Sequence, residues 1–133
     1  MNNIEATITE IKNIDNLHTI KFDFFDNVLS MFSLQLLRDI KIGSKVLLAI
    51  KPSHITIAKN FTGMISYLNK FNAIVKEIDK GKFLTSVLLE AFKVDFETIM
   101  TVESLEKLDL KLGEEVTIFI KASDISLLEI LDD

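Results

Sequence analysis

The chain has 133 residues, enough for one ordinary domain or two very small ones, and 48% of them are hydrophobic, ample for a core. Its 20 acidic residues outnumber 15 basic ones, for a net charge of −5, and no lysine cluster breaks that balance, which argues against a nucleic-acid partner. Cysteine is absent, so disulfides and thiolate metal sites are excluded, and no run approaches the roughly 20 apolar residues of a membrane span. The N-terminal stretch MNNIEATITEIK lacks the apolar core of an export signal. The expectation is a soluble, cytoplasmic protein without a membrane partner. A small anion remains open as a ligand, because backbone N–H groups and hydroxyls bind one without net positive charge.

In chain order, residues 7–11 and 18–25 are β-branched, apolar or alternating and read as strands. Residues 33–43 are leucine-rich and end on Gly43, which suggests a short helix. Residues 45–57 read as a strand, and 59–69 as a linker with Gly63 as its flexible point. Strand patterns return at 73–78, 83–92 and 96–102, the first two joined by the turn Asp79-Lys80-Gly81-Lys82. Residues 103–113 space Leu105 and Leu108 as on a helix, carry Glu103 and Glu106 early, and stop at Gly113. A last strand pattern fills 115–128. In it Val116, Ile118 and Ile120 alternate with Thr117, Phe119 and Lys121, placing Lys121 on the face away from the core.

This order is written twice. Residues 4–11 (IEATITEI) align with 71–78 (FNAIVKEI), and 39–57 (DIKIGSKVLLAIKPSHITI) with 109–127 (DLKLGEEVTIFIKASDISL). Gly43 pairs with Gly113, Lys51 with Lys121 and Ser53 with Ser123. Two matches in the same order indicate a tandem duplication. The expected domains are residues 1–61 and 66–133. Each is too small to be comfortable alone, which favours packing of the halves or oligomerisation. The fold class is all-β with short helices: two tandem five-stranded, OB-like β-barrels.

Three groups of residues carry potential chemistry. Thr101 and Ser104 stand at the expected helix start of the second copy. Ser30 and Ser33 match them in the first, if one residue near Arg38 counts as an insertion. Hydroxyls beside free helix N–H groups form an oxyanion cradle, or an ordinary N-cap. Lys51-Pro52-Ser53 and Lys121-Ala122-Ser123 each supply one ammonium group and one hydroxyl. The third group is the run Ser66-Tyr67-Leu68-Asn69 that opens the second copy.

With these residues the chain resembles the small Mop-type (TOBE-like) molybdate-binding domains. Their opening run, close to Ser-Ala-Arg-Asn, is matched in kind by Ser66 and Asn69, with Phe71 and Ala73 following. Their Thr-x-Glu-Ser is Thr101-Val102-Glu103-Ser104, and their Ile-Lys-Ala-x-Asp is Ile120-Lys121-Ala122-Ser123-Asp124. The resemblance implies a tandem-domain binder of molybdate or tungstate. It would assemble as a homo-oligomer, hold the anion at domain or subunit interfaces, and carry no organic cofactor. The residues implied as ligands are Ser66, Tyr67, Thr101, Ser104, Lys121, Ala122 and Ser123, with Ser30, Ser33, Lys51 and Ser53 as weaker counterparts in the first copy. Three departures stand out. Pro52 has no N–H where Ala122 has one, the first copy lacks the opening serine, and Leu68 replaces the family's arginine.

The only histidines are His18 and His54. No Ser-His-Asp order, metal-ligand spacing or phosphate loop is present, so an enzyme is not expected. His54 reads as a surface replacement of the Asp124 of the other copy. The implied role is storage or homeostasis. The alternatives are the effector-sensing module of a molybdate-responsive regulator or transporter, or an interaction module that has lost its ligand. A chain of this length has no room for a helix-turn-helix or a P-loop of its own.

Overall fold

The computed structural model describes residues 1–35 and 37–131. Among them, strands β1 (Asn2–Ile14), β2 (Leu17–Phe24), β3 (Asn27–Ser33), β4 (Lys45–Ile50) and β5 (Thr56–Ala58) precede the linker. Strands β6 (Asn69–Lys80), β7 (Leu84–Ala91), β8 (Val94–Thr101), β9 (Glu115–Ile120) and β10 (Ser126–Ile130) follow it. They form two five-stranded antiparallel sheets, ordered β10-β4-β1-β2-β3 and β5-β9-β6-β7-β8.

Each half keeps four strands and gives its last one away. β5 pairs with β9 of the other half, Ile57 opposite Ile118, and β10 pairs with β4, Leu127 opposite Leu48. The runs 45–57 and 115–128, expected as continuous strands, are therefore broken. The 3₁₀ turns Pro52–His54 and Ala122–Asp124 interrupt them, and there the chain crosses to the neighbouring sheet. Both turns are entered from an extended lysine, Lys51 at φ −68°, ψ 140° and Lys121 at φ −69°, ψ 144°. One continuous core results, with Phe22, Phe24 and Leu48 of the first half and Phe96, Ile118 and Ile120 of the second at most 1% exposed.

Two tight hairpins close the sheets on matching turns. Phe25-Asp26 joins β2 to β3 and Phe92-Lys93 joins β7 to β8, all four residues at positive φ, as a type I′ turn requires. Non-glycine residues are strained there. The two turn phenylalanines meet across the halves as a stack, with ring centroids 5.5 Å apart and planes 9° off parallel, and Phe24 packs edge-on against both.

The expected helix of the second half forms as α1 (Val102–Leu108). Thr101 Oγ1 accepts from Ser104 N, and Asp109 ends it in the left-handed conformation. Lys59, from the linker, donates to the terminal carbonyls of Leu108 and Asp109 and pairs with Glu114 at 3.0 Å. The matching helix expected at 33–43 is not found among the described residues, and residues 27–33 form strand β3 instead. Counted from the equivalent turn residues Phe25 and Phe92, the first half reaches left-handed Asp39 three residues sooner than the second reaches Asp109. That gap is most of one helical turn of 3.6 residues, and a two-turn helix cannot be written in what remains. The hydroxyl alignment of Ser30 with Thr101 and of Ser33 with Ser104 fails for the same reason. The structural counterpart of Ser30 is Glu97.

An asparagine clasp establishes that register. Asn69, fully buried, receives Ser30 N at 2.6 Å and donates to Ser30 O at 2.9 Å and Ile120 O at 3.0 Å. Asn2 does the same to Glu97, at 2.7 and 2.8 Å. Each clasp ties the first residue of one half's central strand to the edge strand of the other half. Asn69→Ala would strand three backbone groups and is expected to cost roughly 2–4 kcal/mol, against about 1–3 kcal/mol for Asn2→Ala. Urea unfolding of the two variants checks this ordering, and a loss under about 1 kcal/mol at Asn69 would show that the clasp is dispensable.

Candidate anion-binding cleft

The strand crossing decides which residues meet. After β9 the chain turns at Ala122–Asp124 and packs against β3 of the first half. The linker returns alongside. Tyr67 and Phe61 lay their rings edge-on against Phe119, at 5.6 and 5.0 Å. That explains why Phe119 is 1% exposed, although strand alternation places it on the outer face.

The result is a cleft of ≈ 320 Å³ whose walls are Ser66, Tyr67 and Leu68 of the linker, Lys121, Ala122 and Ser123 of the crossing turn, and Phe32 of β3. Five of the residues singled out by sequence are thus neighbours. Lys121 forms no ion pair with any described carboxylate, so its ammonium group is uncommitted. Ala122 is the first residue of the 3₁₀ turn, where the N–H has no partner within the turn. One cation, two hydroxyls and such N–H groups make a donor set suited to an anion. Leu68, 69% exposed, and Phe32, 45% exposed, make the rim apolar where an arginine would have added charge.

The other candidates are placed elsewhere. Ser33 joins Ser123 in an adjoining cleft of ≈ 380 Å³, but its hydroxyl accepts from Gln35 N at 3.0 Å and closes a local turn. Ser30 lies mid-strand, its backbone held by Asn69. Thr101 and Ser104 are bonded to one another, Oγ1 to Oγ at 3.0 Å and Ser104 N to Thr101 Oγ1 at 3.1 Å, which is the geometry of an N-cap. Ser104 opens on a separate cleft of ≈ 430 Å³ with Thr56 of the exchanged β5. Lys51 and Ser53 stand exposed on the Pro52–His54 turn, which packs against β8. Asn69 was visible to sequence reading only as part of the opening run. Its buried, clasping role rests on a partner 39 residues away.

Two curled five-stranded sheets that share their last strands, with a donor-lined cleft at the seam, define the class: a tandem OB-like barrel protein. Residues 65–127 match the model of the TOBE domain. That match lies in the second half of the chain, and the first half repeats the same strand order. A crystal structure of the cytoplasmic molybdate-binding protein ModG, with molybdate bound, superposes on 95% of this chain and 94% of its own. The TM-score is 0.88 and the identity 22%, a likeness of fold. A molybdate-binding protein from Sporomusa ovata aligns at 33% identity over 50% of this chain and all of its own, with a TM-score of 0.49. No curated protein matches by sequence. Among the described residues, no helix is long and apolar enough to cross a membrane and no cluster of His, Asp and Glu could hold a metal ion.

The matched backbone at Lys51 and Lys121 gives a structural prediction. Lys121 is already extended, as a residue before proline must be, and the first copy carries proline at this position. Ala122→Pro is therefore expected to change stability by no more than about 1 kcal/mol. A thermal melt shifted by more than about 8 °C would show that the two turns are not interchangeable.

Proposed function

We propose that the protein binds molybdate or tungstate in the cytoplasm, as a store or buffer of the oxyanion, with no organic cofactor, no nucleic-acid partner and no catalytic activity. The observation that carries this reading is the convergence of Ser66, Tyr67, Lys121, Ala122 and Ser123 in one cleft, with Lys121 unpaired. The molybdate-bound structure of the same fold supports it. A tetrahedral dianion needs donors from several directions, and charge-assisted hydrogen bonds are the strong ones.

The cleft is edged with the exposed apolar residues Phe32 and Leu68, and Leu34 and Ile65, close to them in sequence, are exposed as well. A second copy of the chain seated there would exclude water and strengthen each contact to the anion. The protein is accordingly proposed to be a homo-oligomer. Thr101, Ser104, Lys51, Ser53, Ser30 and Ser33 would act across such contacts.

Calorimetric titration with molybdate, tungstate, sulfate and phosphate tests the reading, and heat with none of the four would end it. Lys121→Ala is expected to weaken molybdate binding roughly ten- to hundredfold, the effect of about 1–3 kcal/mol for one lost charged donor. Ala122→Pro, folded as predicted above, loses an N–H donor and is expected to fall in the same range, while Lys51→Ala falls less. Equal losses at Lys51 and Lys121 would place the anion elsewhere. Native mass spectrometry with and without molybdate is expected to show an oligomer, and a monomer in both conditions would refute the proposed covering of the cleft.

A further inference from the structure

His54 and Asp124 occupy the same place in the two copies, each following the serine of its Lys-x-Ser element. The strand crossing sets the two 3₁₀ turns face to face, and His54 Nδ1 lies 3.7 Å from Asp124 Oδ1. The replacement that sequence reading takes as a surface change is thus a contact between the two copies. The side chains are 40% and 24% exposed. Asp124 follows directly on Ser123, which lines the proposed anion cleft.

Other charged groups near His54 are few. Lys51 precedes its own turn and Lys121 precedes the opposing one. β8, which packs against the His54 turn, carries Asp95 and Glu97. Asp95 is engaged with Lys76 at 3.2 Å, and Glu97 receives Ser86 Oγ at 2.7 Å. Among the described residues, Asp124 is the carboxylate within ion-pair reach of His54.

We infer that the His54–Asp124 pair tunes the affinity of the neighbouring cleft for its oxyanion and makes binding proton-linked. This rests on the function proposed above. Asp124 is the residue after the cleft's Ser123, and its carboxylate would repel a dianion bound there, because charges at a partly exposed site still act over several ångströms. Protonated His54 cancels that charge and neutral His54 does not. Histidine is the side chain that changes charge in the neutral range. The proton-bound form therefore favours the anion, binding takes up a proton, and affinity falls as pH rises.

The experiment is calorimetric titration of the full chain with sodium molybdate, and separately sodium tungstate, at about pH 6 and about pH 8 at constant ionic strength. The wild type is expected to bind about three- to tenfold more tightly at the lower pH, with proton uptake read from heats in buffers of different ionisation enthalpy. His54→Asn is expected to lose the pH dependence at the weaker affinity. His54→Lys is expected to hold the tighter affinity at both pH values, while Asp124→Asn is expected to bind at least as tightly as the wild type at about pH 6 under both conditions and to keep a pH dependence, because the charge at position 54 still acts on the anion. A wild-type profile that is flat, or one that His54→Asn reproduces unchanged, overturns the inference and leaves the proposed function standing. Absence of heat in every variant at both pH values overturns both.

Discussion

An open sheet edge exposes a row of unpaired backbone N–H and C=O groups, and in a small domain that edge is hard to cover. β4 and β9 would each carry such an edge if the halves of this chain closed on themselves. They are covered instead by β10 and β5, each borrowed from the other half. This exchange fixes the rest of the molecule. It merges two undersized cores into one. It turns Pro52–His54 and Ala122–Asp124 into crossing points. It also brings β3 and β8 within reach of the asparagine clasps at Asn69 and Asn2.

The proposed site follows from that geometry. The donors of the Lys121 cleft come from the linker and from a turn that has just left β9, while Phe32 comes from the opposite half. No isolated copy would contain that arrangement. The copies have also diverged in the features that matter to an anion. The second keeps an N–H at Ala122, and the first has Pro52 in that place. The backbones of the two turns nevertheless agree within a few degrees at Lys51 and Lys121, so divergence has touched the donors and left the scaffold alone.

Sequence periodicity and the internal repeat revealed most of the strands, the Gly43 and Gly113 turns and the helix after Thr101, because those depend on local pattern and backbone preference. Strand β3 was missed because Ser30 and Ser33 were matched to the hydroxyls at a helix start. The matching hid that the first half is three residues shorter here, and no helix is found among its described residues. The clasp at Asn69 and the contact of His54 with Asp124 join residues 39 and 70 positions apart, beyond any local pattern. Nothing in a short 3₁₀ turn announces which sheet the next strand will enter, so the exchange could not be read from the sequence. Phe119 illustrates the same limit, since its burial comes from Phe61 and Tyr67 laid over an outward position.

The exchanged strands bear on how the chain matures during synthesis. The first sheet takes its edge strand from residues 126–130, which a ribosome delivers long after residues 1–50 have emerged. Until then β4 is exposed in the nascent polypeptide, and domain-by-domain folding from the N-terminus is denied to this protein. Both barrels must close late and together. The interval before release is when a chaperone would find β4 open, and when two nascent chains would be most prone to trade the strands that one chain is meant to trade with itself.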